Sequence, residues 1–128
     1  MEGALLFFLP GLAVSSWPLC SLNEIIISEV HTNSQPADYI ELFNKGTRTC
    51  SLDGFELTDE DTFLDDNLIF GALNVIPTRS YLLGYQYNKL PGNFSYSFSH
   101  SSSLIQHKFY LRDSAESQPT VYRVSVVP

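Results

Sequence analysis

At 128 residues, 44% hydrophobic and 13% aromatic, the chain has room for one domain with a core of its own. Its formal net charge is −7, and the seven Lys and Arg are dispersed, which argues against the clustered basic surface that nucleic acids and anionic membranes need. Nine Phe and seven Tyr against one Met, with no amphipathic helical run of a dozen residues beyond the N-terminus, point to an all-β fold.

The first element in chain order is an apolar run from Ala4 to Val14, too short to span a bilayer and broken by Pro10-Gly11. Small residues at Ala13, Ser15 and Ser16 supply a cleavage pattern. Residues 1–16 are therefore expected to be a secretory signal peptide and residues 17–128 the mature domain, although Glu2 stands where a positive charge is usual. The alternative is an apolar arm packed on the domain. No second apolar stretch approaches membrane length, so no stable membrane insertion is expected.

Two strands around a loop come next. Ile26, Ser28 and Val30 alternate on one face of the first, Ile40 and Leu42 on one face of the second, and Asn44-Lys45-Gly46 has turn chemistry. A hairpin with Val30 opposite Ile40 sets Ser28 opposite Leu42 and Ile26 opposite Asn44. Extended backwards, that register sets Cys20 opposite Cys50, a disulfide pairing that Pro18 or a bulge could break. These are the only cysteines, too few for a thiolate zinc site, and a disulfide between them agrees with export.

Gly54 leads a third strand with Phe55 and Leu57 on one face. An acidic loop follows, with Asp59, Glu60, Asp61, Asp65 and Asp66. Leu68 to Val75 reads as one strand with a bulge or kink at Gly71, Pro77 to Ser80 as a turn, and Tyr81 to Tyr85 as a buried strand. After a loop from Asn88 to Asn93, Phe94 to Ser99 alternates aromatics with serines, and Ser101 to Ser103 is a connector. Lys108 to Asp113 and Thr120 to Val127 form a closing hairpin. Short strands at intervals of about ten residues suggest one β-sandwich, not β-α-β winding.

Three segments resemble the lamin tail domain family. They are Glu29-Val30, Ile40-Glu41-Leu42-Phe43-Asn44 with Lys45-Gly46, and Leu52-Asp53-Gly54-Phe55-Glu56-Leu57-Thr58-Asp59. Ile76-Pro77, Tyr81-Leu82-Leu83, Phe109-Tyr110-Leu111 and Val121 to Val126 follow the family's later strands more loosely, so the likeness covers about residues 24–127. The resemblance implies an immunoglobulin-like β-sandwich without shared catalytic residues, used for protein contacts or as an accessory module beside hydrolases. Unlike nuclear lamins, the chain shows no coiled-coil heptads and no basic localisation run.

The acidic loop is the candidate metal site: Asp59, Glu60, Asp61, Asp65 and Asp66, with Asn67, could give calcium several oxygens, although the spacing is not that of an EF-hand. Otherwise it is a solvated turn, and no cofactor besides calcium is expected. His31, His100 and His107 lack metal-ligand spacing, and no Gly-x-Ser-x-Gly elbow or glycine-rich phosphate loop is present. Asn93-Phe94-Ser95 is an N-glycosylation sequon. Phe94, Tyr96 and Phe98 form either an aromatic platform for sugar or peptide, or one face of a core strand. The expected function is a non-catalytic extracellular module for binding an unknown protein partner or for adhesion. The alternative is a calcium-assisted accessory domain of a secreted hydrolase or nuclease whose catalytic part lies outside this chain.

Overall fold

The structure, a computed structural model, describes residues 17–31, 37–58, 67–98, 107–113 and 121–126. Among the described residues, ten strands follow a 3-10 turn at Leu22–Glu24: β1 Ile25–His31, β2 Tyr39–Asn44, β3 Cys50–Ser51, β4 Phe55–Thr58, β5 Leu68–Ile69, β6 Val75–Ile76, β7 Tyr81–Gln86, β8 Phe94–Tyr96, β9 His107–Asp113 and β10 Val121–Val126. They form a four-stranded sheet in the order β1-β2-β7-β8, a second in the order β10-β9-β4-β5, and a short β3-β6 pair. The all-β expectation holds. Ile25, Ile27, Ile40 and Leu42 of the first sheet join Phe55, Leu57 and Leu111 of the second in one buried cluster. Leu52, Phe70, Ile76 and Phe98 complete it from the connecting segments and β6.

The β1–β2 register differs from the expected one in an instructive way. Val30 does face Ile40, but the pairing slips at Ser28, so that Ile27 faces Leu42 and Ile25 faces Asn44. The inserted residue is a β-bulge, and it switches which parity points inward. Ile25 and Ile27 are buried before it and Val30 leans on the core after it, so the expected Ile26–Ser28–Val30 face does not exist. Strict alternation from Ile27 would have driven Glu29 and His31 into the core. The bulge turns both to solvent.

Cys20 and Cys50 are nevertheless joined, with Cα atoms 4.9 Å apart. The route is not a continued hairpin. The 3-10 turn interrupts the chain before β1, and Cys20 reaches β3 through a Leu19–Ser51 bridge and a Cys20 N–H to Ser51 carbonyl bond of 2.8 Å.

Glu24 holds the same corner. Its Oε1 accepts from the Ser21 N–H at 2.8 Å, and its carboxylate takes Arg48 Nε at 2.9 Å and Nη2 at 3.0 Å, while Arg48 Nη2 also donates to the Leu19 carbonyl at 2.8 Å. The Arg48 guanidinium, ahead of the opposing burial, holds the Glu24 carboxyl below its ordinary value. A depressed folded-state carboxyl stabilises above the unfolded value and loses that contribution as pH falls through the folded one. Thermal midpoints measured against pH should therefore show wild type above Glu24→Gln at neutral pH, with the gap closing below about pH 4.5. A gap that stays constant down to pH 2 would remove Glu24 from this role.

Three further differences concern later strands. Leu68 to Val75 is not one kinked strand: a turn at Gly71–Asn74, closed by Asn74 N–H to the Gly71 carbonyl at 3.0 Å, divides β5 from β6, which belong to different sheets. Tyr81–Gln86 is not wholly buried; Leu82, Gly84 and Gln86 point in while the other three keep exposure. And β8 pairs with β7 in parallel, Gly84 facing Phe94 and Gln86 facing Tyr96. Glycine admits that pairing, because a Cβ at Gly84 would lie 2.1 Å from the Phe94 ring. The β9–β10 hairpin pairs as expected, from Val121 with Arg112 to Val126 with His107.

Candidate functional site

Every residue of β4 is buried, and its Glu56 is satisfied: Oε1 accepts from Arg112 Nε at 3.0 Å and Nη2 at 2.9 Å, and Oε2 from Asn67 Nδ2 at 2.6 Å. The outward face of the first sheet instead carries chemically mixed side chains at partial exposure.

Three cross-strand rows build that face: Ile26–Phe43–Tyr81, Glu29–Glu41–Leu83 and His31–Tyr39–Tyr85. The β2 and β7 members follow from simple alternation opposite the core positions Ile40, Leu42 and Leu82. Ile26 likewise alternates with buried Ile25 and Ile27, whereas Glu29 and His31 depend on the bulge, which Ser28 secures by donating its hydroxyl to Glu41 Oε1 at 2.9 Å. Glu29 and Glu41 are consequently direct partners, a like-charge pair that ordinarily weakens a sheet.

The aromatic groups are ordered around these carboxylates. Glu29 Oε2 accepts from the Tyr39 hydroxyl at 3.2 Å and lies 2.7 Å from His31 Nε2. His31 stacks on Tyr39 with centroids 4.6 Å apart, and Tyr85 meets Tyr39 edge-on at 6.0 Å. Partial burial, then the hydrogen bond to Glu29 and the negative charge of both glutamates, hold the Tyr39 phenol above its ordinary value. In the first row Phe43 and Tyr81 pack at 4.6 Å, and the Arg79 guanidinium lies 5.4 Å from the Phe43 centroid. Arg79 is held there by a 3.0 Å bond from Nη1 to the Lys45 carbonyl. Electron-rich rings beside close carboxylates can attract and orient a cation.

The sequence-predicted site residues fare variously. Asp59, Glu60, Asp61, Asp65 and Asp66 lie outside the described residues, as do residues 1–16 and His100. Among the described residues no three His, Cys, Asp or Glu side chains gather to hold a metal ion. Phe98 and Tyr96 are buried, and Phe94 packs against the core, edge-on to Phe70 at 5.2 Å, so this stripe is a core face and not a platform. Asn93 is exposed at the start of β8; its Oδ1 accepts from the Leu83 N–H at 2.8 Å, and among the described residues its Nδ2 has no hydrogen-bond partner. No helix of the described residues is long and apolar enough to cross a membrane.

Sequence reasoning missed Glu29, His31, Tyr39, Glu41 and Tyr85. Tyr39, Glu41 and Phe43 were available as the opposite parity of β2, whereas nothing in the alternation of β1 announces a bulge. No protein-family model and no curated protein matches the chain.

Proposed function

We propose that the chain is a non-catalytic, extracellular protein-interaction or adhesion module of immunoglobulin-like, lamin-tail type. The observation that carries the reading is the division of labour within the first sheet: one face supplies the shared core, and the other presents rings and two paired carboxylates at a cost in stability. The lamin-tail likeness is supported by where its three segments fall, on β1, on β2 and on the Leu52–Phe55 turn into β4, which a 2.9 Å bond from the Phe55 N–H to the Leu52 carbonyl closes.

Export is supported by the Cys20–Cys50 disulfide, since reducing compartments disfavour such bonds. The exposed Asn93, whose Nδ2 is the atom that would carry a glycan, supports it further. Secretory expression is expected to yield a chain beginning near Trp17, with a mass excess that is lost in Asn93→Gln. Immobilised mature chain should capture a polypeptide from extracellular fluid saturably. Recovery of no saturable partner, or a protein retained in the cytosol with free thiols, would contradict the reading.

A further inference from the structure

We infer that the outer face of β1, β2 and β7 docks a cationic segment of a partner protein, an extended peptide whose Arg or Lys side chains meet the Glu29–Glu41 pair and the Tyr39 and Tyr85 rings. The inference rests on the interaction-module reading and adds the surface and the chemistry of the partner.

The first argument is charge. Glu29 and Glu41 are directly opposed, and among the described residues the bonds they accept occupy one oxygen of each, Oε2 of Glu29 and Oε1 of Glu41. The second oxygen of each is available to a donor, and a guanidinium or ammonium bound between them would turn the repulsion of the pair into attraction.

The protein's own Arg79 supplies the second argument. It projects from the turn before β7 onto the first row and lies over Phe43, an arrangement in which this sheet face already accommodates a guanidinium. Its backbone adopts a positive φ of 56°, an unusual conformation for a side chain of this size. The Tyr39–Tyr85 end of the same face has rings and carboxylates but no Arg or Lys in the three rows.

Ring geometry decides between a cation and a sugar. A carbohydrate platform needs ring faces lying open and coplanar, but His31 covers one face of Tyr39, their planes 13° apart, and Tyr85 stands at 67° to Tyr39. The Tyr39–Tyr85 pair therefore offers no flat platform for a sugar ring, whereas the adjoining Glu29 and Glu41 carboxylates supply the negative charge that a cation needs. A second copy of this chain would bring the same two carboxylates against themselves, which like-charge repulsion disfavours.

The test titrates 15N-labelled residues 17–128 with a blocked Arg-Gly-Arg-Gly-Arg peptide, following amide shifts. Cellohexaose and a blocked Glu-Gly-Glu-Gly-Glu peptide serve as comparison probes. The expected result is shifts centred on Glu29, His31, Tyr39, Glu41, Leu83 and Tyr85, with affinity about tenfold weaker in Glu29→Gln/Glu41→Gln. The charge-matched Asp53→Lys variant, at an exposed position in the turn before β4, should bind like wild type. Equal weakening in both variants, shifts spread over all acidic positions, or shifts at this face with cellohexaose alone would overturn the proposal. A captured partner that binds Glu29→Gln/Glu41→Gln as tightly as wild type keeps the module reading and overturns this surface. Peptide binding confined to the face, with no partner captured, upholds the surface and sinks the module reading.

Discussion

Replacing Asn44 with leucine is expected to lower unfolding stability by about 3–5 kcal/mol, more than any other single polar substitution in the first sheet. Asn44 is fully buried at the end of β2 and serves as a junction. Its Nδ2 donates to the Arg48 carbonyl at 2.9 Å and the Ile76 carbonyl at 3.1 Å, and its Oδ1 accepts from the Gly46 N–H at 2.9 Å. Its main chain meanwhile pairs with the turn before β7, N–H to Ser80 at 3.0 Å and carbonyl from Arg79 at 2.9 Å. Leucine has a similar volume but strands the buried Ile76 carbonyl, at about 1–3 kcal/mol, and also removes the partners of the part-buried Arg48 carbonyl and Gly46 N–H. Asn44→Asp should also destabilise, because it keeps the acceptor for Gly46 while turning a charged oxygen toward two carbonyls. Urea unfolding at unchanged m-value checks both, and a loss under 1 kcal/mol for the leucine variant would show that the junction is not needed.

Removal of the disulfide in Cys20→Ala/Cys50→Ala is expected to cost about 3.5 kcal/mol, the loop-closure entropy for a separation of 30 residues. Both half-cystines are buried, so the alanines also leave a small void in the core. The two effects are coupled. Asn44 Nδ2 lies 3.8 Å from Cys50 Sγ, and Arg48 ties the Leu19 carbonyl to Glu24, so one corner holds the disulfide, the asparagine and the ion pair. A triple variant combining Asn44→Leu with both alanines should therefore lose less than the sum of its parts. Denaturant titration of the four proteins measures the coupling; strict additivity would mean that the corner does not act as a unit.

How much of this was legible depends on what carries each feature. Side-chain alternation is written in residue type, so the strands around Ile40, Leu42, Phe55 and Leu57 and the closing hairpin could be read directly. The Cys20–Cys50 pairing was read from a register that the Ser28 bulge breaks, and the bond forms by a different path. A bulge is a backbone event with no required residue type, which is why Glu29 and His31 were not recognised as one face with Tyr39 and Glu41. The turn at Gly71–Asn74 hid inside an apolar run for a similar reason. Gly84 was a signal left unused: a glycine within Tyr81–Gln86 marks a close approach, here of Phe94 across the parallel pair. Asn44-Lys45-Gly46 has turn chemistry in sequence, yet the Asn44 side chain is buried in the core, a use that only the converging carbonyls of Arg48 and Ile76 reveal.

The central claim is that recognition belongs to the outer face of the first sheet. Capture from extracellular fluid should be run in parallel on immobilised wild type and on Glu29→Gln/Glu41→Gln, whose thermal midpoint should be no lower than that of wild type once the like-charge pair is removed. The account predicts a polypeptide retained by wild type, eluted by salt and lost from the variant. Identical retention on both would contradict it.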